Sequence, residues 1–291
     1  MGSATLPAES QSQASQTGRA AAHGTLQSAD GTRLAYRAWP LPGATVTFAV
    51  VHGLGEHSGR YERFAAGMAR HNMATYALDL RGHGESEGRR GHVDSWSRWV
   101  EDTAAFETLV EHEAPGEVIP LGHSFGGTVM LSAIRAGKLP RARRFVLSSP
   151  ALRLKAKVPA WKTTMASLAS KITPSLTLDN EVDPGTVSRI PEVVDAYRTD
   201  PLVHRKISAR TYDEWMRAAA DNLAHAGDIQ IPFLILAGTA DGLIDFTGSE
   251  ALHAKAPKQS ELRLLEGRYH EPFNDLGSDE VEDLIAEWVK R

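Results

Sequence analysis

Ser124 stands where a hydroxyl could become a nucleophile. It lies inside Gly122-His-Ser-Phe-Gly126, which fits the pattern G-x-S-x-G. The apolar run Val118 to Leu121 precedes it, and a helix-like run through Met130, Leu131 and Ile134 follows. That order predicts a strand turning sharply into a helix, with the hydroxyl held out at the bend. Glycines suit both flanking places, because a side chain there would clash where strand and helix cross closely. An ordinary Gly-rich turn gives the same short pattern, so residues elsewhere must decide. A serine is a poor nucleophile unless a base removes its proton, and the base needs an acid to fix its tautomer. Asp241, in Gly238-Thr-Ala-Asp-Gly242, stands just past the apolar run Phe233 to Ala237. His270, in Glu266-Gly-Arg-Tyr-His270, stands just past Leu262 to Leu265. A turn aspartate before Gly242 is the plain reading of Asp241, and Asp245 competes with it. His225 and His253 fall in helical contexts.

The chemistry these residues suit is acyl transfer through a serine. Such a reaction needs donors for the developing oxyanion, each worth about 2.7–4 kcal/mol of transition-state stabilisation. The backbone N–H of Phe125, directly after the serine, is one expected donor. The other is expected from His52-Gly-Leu-Gly55, with the Leu54 N–H as the choice. His52, Glu56 and His57 are metal-ligating types, but their spacing is not H-E-x-x-H and no further ligand set accompanies them. No metal and no organic cofactor is expected.

The elements that must position these residues alternate between strand and helix. Thr25 to Trp39 reads as a hairpin around Asp30-Gly31. Thr45 to Val51 and Ala74 to Asp79 read as buried strands, with a helix through Phe64 and Met68 between them. Trp96 to about Val110 has the period of a long amphipathic helix, and Arg144 to Ser149 is a further strand. After a break come Pro232 to Ala237, a helix near Gly248 to Ala256, the strand Glu261 to Leu265 and a last helix through Val281, Ile285 and Val289. This alternation predicts an α/β fold built on a doubly wound, mostly parallel sheet. Residues 24–150 and 229–291 form its core. Residues 151–228 interrupt the alternation with helical signals and five prolines, and read as a helical cap, or lid, over the sheet. Met1 to His23, rich in Ala, Ser and Gln, reads as a disordered tail.

The 42% hydrophobic and 23% charged content is ordinary for a globular chain, and a net charge of −4 gives no reason to expect nucleic acid. Without cysteine, disulfides, thiolate metal sites and a cysteine nucleophile are excluded, and a cytoplasmic location is the default expectation. No stretch approaches the roughly 20 apolar residues that span a bilayer, and the N-terminus lacks the features of a signal peptide.

From about residue 25 onward the sequence resembles the monoacylglycerol lipase branch of the α/β-hydrolases, which includes lysophospholipase-like bacterial esterases. The residues that carry this are His52-Gly-x-Gly-Glu-His-Ser-Gly-Arg-Tyr61, Asp79-x-Arg-Gly-His-Gly-x-Ser-x-Gly88 and Gly122-His-Ser-x-Gly-Gly127, then Ala196-Tyr-x-x-Asp-Pro-Leu202, Gly238-x-Ala-Asp241 and Tyr269-His270. The resemblance implies a triad of Ser124, Asp241 and His270, a cap forming an acyl-chain tunnel, and a lipid ester as substrate. It also implies that Glu56, Arg60, His123 and Tyr197 surround the polar end of that substrate. The other reading of Glu56 and Arg60 is a simple ion pair across the turn. The apolar face Val158, Trp161, Met165, Leu168 and Ile172 either packs onto the sheet domain or belongs to a lid that meets a membrane surface transiently or lines the tunnel. His270 is followed by Glu-Pro-Phe-Asn-Asp, which departs from the animal pattern. The function expected is hydrolysis of carboxylic esters, foremost monoacylglycerol to fatty acid and glycerol. The alternatives are a broad carboxylesterase, a lysophospholipase or a non-catalytic ligand-binding relative.

Overall fold

The computed structural model describes residues 21–114, 116–156, 167–180 and 182–291. An eight-stranded sheet runs through its centre. In chain order its strands are β1 (Ala22–Gln27), β2 (Arg33–Trp39), β3 (Val46–Val51), β4 (Met73–Leu78), β5 (Glu117–His123), β6 (Phe145–Ser148), β9 (Phe233–Gly238) and β10 (Ser260–Leu265). Their spatial order is β1-β2-β4-β3-β5-β6-β9-β10. β1 with β2 and β2 with β4 are antiparallel; every other pairing is parallel.

The central strands are mostly apolar because both faces are covered. All six residues of β3, of β4 and of β9 are buried. One face packs against α2 (Trp96–Glu113) and α3 (Phe125–Arg135) through Trp99, Phe106, Phe125 and Met130. The other packs against α1 (Glu62–Arg70) and α7 (Ser278–Val289) through Phe64, Met68, Ile285 and Trp288. A fifth helix of the core, α6 (Thr247–Lys255), connects β9 to β10. The edge strand β1 begins at Ala22, so Ala22 and His23, expected in the tail, instead pair with Ala38 and Arg37. The remainder of the expected tail, residues 1–20, lies outside the described residues.

Register decides where chemistry can happen. Val51 pairs with both Leu78 and Gly122, His123 with Ser148, Ser148 with Leu236, and Gly238 with Leu265. The carboxyl ends of the parallel strands therefore lie along one edge, where ligands bind in open α/β sheets. The loops after β3, β5, β9 and β10 all open there.

Between β6 and β9 the described chain holds helical residues 167–172, a short antiparallel ribbon of β7 (Thr177–Asp179) and β8 (Lys206–Ser208), α4 (Pro191–Thr199) and α5 (Ala209–Ala224). The ribbon was not expected: three-residue strands are too short to show alternation. α5 starts on a Ser208 cap that accepts from Thr211 N, and it is fastened to the core. Asn222 Nδ2 donates to Thr128 O at 2.9 Å, and Trp215 Nε1 to Ala151 O at 3.1 Å. Of the apolar face expected here, Val158, Trp161 and Met165 lie outside the described residues. Leu168 and Ile172 are 55% and 70% exposed.

Candidate active site

Ser124 sits between β5 and α3 with φ 52° and ψ −118°. That is a left-handed conformation for a residue with a side chain, costing on the order of 1–3 kcal/mol, and such strain collects at functional sites. The bend is held by Ser124 N–H donating to Ser148 O at 2.9 Å. The neighbouring glycines are dictated by contact. A Cβ at Gly126 would lie 2.2 Å from Val51 O, and one at Gly122 would lie 2.7 Å from Gly126 O and Gly127 Cα.

The sequence-predicted acid and base are in contact. His270 Nδ1 donates to Asp241 Oδ2 at 2.7 Å, which leaves Nε2 as the nitrogen available to a serine. Asp241 is itself fixed, because Oδ1 accepts from Leu243 N at 2.8 Å and Ile244 N at 2.9 Å. Its competitor Asp245 instead accepts from Thr247 N near the start of α6. His253 bonds Ser260 and His225 bonds Asp221, so neither joins the group. Next to Ser124 in the chain, His123 lays its ring 4.9 Å from that of His270.

Electrostatics separates the two imidazoles. Burial disfavours the His270 cation, but the charge and hydrogen bond of Asp241, then Glu271 and Glu56, outweigh it and raise its pKa. Burial also pushes the Asp241 carboxyl up, yet the His270 contact and the two backbone donors hold it below its ordinary value. His123 is pulled down to about 3, first by burial and then by His270, and remains neutral. Its Nδ1 lies 3.1 Å from Ser148 O.

Both expected oxyanion donors lie on backbone near Ser124. Phe125 is the first residue of α3, where amides lack an intrahelical acceptor. Its ring is packed edge-on among Trp96, Trp99 and Trp215 at 5.0–5.4 Å. Leu54 is bracketed: Gly53 N donates to Glu56 Oε1 at 2.6 Å, and Gly55 O accepts from His204 N at 2.8 Å. A Cβ at Gly53 would be 3.2 Å from Ser124 Cβ, so this loop lies directly beside the serine.

The polar residues expected around the substrate are engaged with one another. Arg60 Nε donates to Glu56 Oε2 at 3.3 Å, which is the ion pair across the turn. Tyr61 OH also reaches Glu56, Tyr197 lies 4.6 Å under the Arg60 guanidinium, and His123 Nε2 is 4.0 Å from Glu56. The metal-type residues likewise have separate partners. His52 Nδ1 donates to Gly53 O and its Nε2 accepts from Leu80 N, while His57 Nε2 bonds Asp200. Glu271 was missed by sequence reasoning; it accepts from Arg60 Nη2 at 2.5 Å and from Asn274 Nδ2 at 2.9 Å. The signal for it was the unusual residue directly after His270.

The sequence matches the family profile Hydrolase_4, serine aminopeptidase S33, over residues 43–277. It is 33% identical to a monoacylglycerol lipase of Mycolicibacterium smegmatis, across 89% of this chain and 93% of that protein. It is also 33% identical to an abhydrolase domain-containing protein of Dictyostelium discoideum, matching 91% of this chain but spanning only 28% of that protein's length. Among solved structures, the monoacylglycerol lipase of Paleococcus ferrophilus superposes with a TM-score of 0.77 at 31% identity, covering 93% of this chain and 98% of the other. With the sheet, the bend and the contacts described above, these matches establish that the chain belongs to the Hydrolase_4 family (serine aminopeptidase, S33) of α/β-hydrolases.

Proposed function

We propose that the protein is a serine hydrolase of carboxylic esters, with monoacylglycerol as the principal substrate. The observation that carries this is the Asp241–His270 hydrogen bond beside a serine held in a strained bend. Ser124 Oγ attacks the ester carbonyl while His270 Nε2 takes its proton, and Asp241 holds the ring in the tautomer that this requires. The Leu54 and Phe125 amides bond the carbonyl oxygen as it becomes negative. Collapse expels the glycerol oxygen, which leaves with the proton from His270. Water, deprotonated by the same imidazole, then attacks the acyl-enzyme, releasing the fatty acid and restoring the serine hydroxyl.

The family description names a peptidase, whereas the relatives from Mycolicibacterium and Paleococcus are named lipases. Both reactions share the acyl-serine step, and the agreement of two relatives above 30% identity favours the ester. The segment 151–228 acts as the cap in this reading, and its exposed leucines and isoleucine meet a lipid surface. Among the described residues no helix is long and apolar enough to cross a membrane. The reading places the enzyme in the cytoplasm, which fractionation of the source cells tests.

The deciding experiment combines labelling with substrate comparison. A fluorophosphonate should label the wild type, and Ser124→Ala should abolish labelling and lower kcat by about 10⁶. Monoacylglycerol should be turned over faster than lysophospholipid, short p-nitrophenyl esters or aminoacyl anilides. Near-normal turnover by Ser124→Ala would end the reading; preference for the anilides would make the protein a peptidase.

A further inference from the structure

Behind the serine lies a buried charge cluster that the hydrolytic mechanism does not use. Glu56, Arg60 and Glu271 have side chains only 5%, 7% and 6% exposed. Arg60 joins the two carboxylates, through Nε to Glu56 at 3.3 Å and through Nη2 to Glu271 at 2.5 Å. Each carboxylate also has a tie to a working loop. Glu56 Oε1 accepts the Gly53 amide, fixing the peptide segment that presents Leu54. Glu271 directly follows His270, and its own N–H donates to Val187 O. Asn274 Nδ2 donates to Glu271, and Tyr197 of α4 covers the guanidinium. A planar guanidinium with donors in fixed directions can hold two carboxylates in a set geometry, which a lysine ammonium cannot.

We propose that Glu271 is a positioning residue: through Arg60 and Glu56 it locks the loop of the base to the loop of the oxyanion donor, and its charge favours the imidazolium formed during acyl transfer. This rests on the triad reading. It replaces direct substrate contact for Glu56 and Arg60, whose carboxylate and guanidinium groups already satisfy one another. The pair of carboxylates against one guanidinium leaves one negative charge in excess beside His270. The other groups facing that imidazole are Asp241 from the loop after β9 and neutral His123 from β5. Burial disfavours the His270 cation, and Asp241, Glu271 and Glu56 in that order favour it.

Glu271→Gln keeps an acceptor for Arg60 and removes the charge. It should lower kcat about 10-fold with KM nearly unchanged, because a less stabilised imidazolium and a weaker, uncharged tie to Arg60 cost rate and not affinity. The acidic limb of kcat/KM should move to lower pH by about half a unit. Glu271→Asp keeps the charge but is one methylene short of Arg60, so it should lose kcat while leaving the limb where it is. A raised KM with unchanged kcat and limb in both variants would mean direct substrate contact and overturn the proposal. So would wild-type behaviour in both. If Glu271→Gln does not fold, Glu271→Asp alone decides: wild-type kcat in that variant rejects the lock. Fluorophosphonate labelling of the wild type is the control that separates this from the triad reading. If the wild type is labelled and the variants behave as wild type, only the present inference fails.

Discussion

At the scale of single residues, the site is governed by which proton each group holds. Asp241 has both oxygens occupied, one by His270 and the other by two backbone amides. An asparagine there would keep the shape but present an amide N–H₂ or a neutral oxygen to the ring, and the tautomer would no longer be fixed. Asp241→Asn should therefore lower kcat by about 10⁴ with little change in KM. It should also shift the pH profile. In the proposed mechanism His270 must be neutral to accept the serine proton, so kcat/KM should rise with pH through its pKa, which lies above the ordinary 6.5. Asp241 contributes most of that rise, by charge and by hydrogen bond. Removing its charge should carry the acidic limb downward, below that of the wild type. A limb that stays in place while kcat falls would show that Asp241 orients the ring without stabilising its cation. Steady-state rates across pH 5 to 9 (about four units, enough to span both limbs) measure both quantities.

At the scale of elements, the segment between β6 and β9 carries most of the large apolar side chains exposed among the described residues. Leu168, Ile172, Leu176 and Leu178 are each more than half exposed and fall within one short stretch of chain. Burying such side chains in an apolar medium yields about 1.5–3 kcal/mol apiece. The double substitution Ile172→Ser with Leu178→Ser should weaken binding to phosphatidylcholine vesicles by about 10-fold or more. Hydrolysis of substrate presented in those vesicles should fall with it, while a soluble short-chain ester should be cleaved as by the wild type. Equal loss on both substrates would place these residues in the substrate path and not at a lipid surface. This segment was also the least legible in the sequence, for a physical reason. Strands such as β3 and β9 announce themselves because they are buried on both faces and are therefore mostly apolar. The bend at Ser124 is legible because only glycines fit beside Val51 O and Gly127 Cα. Asp241 and His270 were located by their places after strands, since the register of the sheet brings those loops to one edge. β7 and β8 leave no such trace: strands of three residues are too short to carry a periodic demand. Glu271 was hidden differently, because pairing between residues 60 and 271 depends on the fold and not on local pattern.

At the scale of the whole molecule, stability should depend on pH through a group far from the chemistry. Glu107 lies on α2, is 3% exposed, and has an Oε1 without a hydrogen-bond partner. Burial, and then the neighbouring charge of Glu111, push its carboxyl well above the ordinary 4.5. The sign follows from linkage: the unfolded chain loses this proton near 4.5, while the folded chain keeps it until the raised value is reached. Whatever stability the neutral acid contributes is fully present below pH 4.5 and declines as pH rises. The slope is about 1.4 kcal/mol per pH unit over that window. Glu107→Gln cannot ionise, so its folding stability lacks this decline. In urea titrations carried upward from about pH 5, just above the ordinary 4.5, the variant should gain on the wild type as pH increases. Other groups whose pKa values change on folding, such as Glu282 and Asp30, are common to both proteins and cancel in the comparison. A gap that stays constant with pH would show that Glu107 ionises normally in the folded state. The cost has a structural origin, since α2 must press Trp99, Phe106 and Val110 against the sheet, and position 107 follows directly on the buried Phe106. Activity should not follow the same course, because Ser124, Asp241 and His270 are held by their own backbone and carboxylate contacts. Glu107→Gln is therefore expected to raise the urea midpoint at pH 7 without changing kcat.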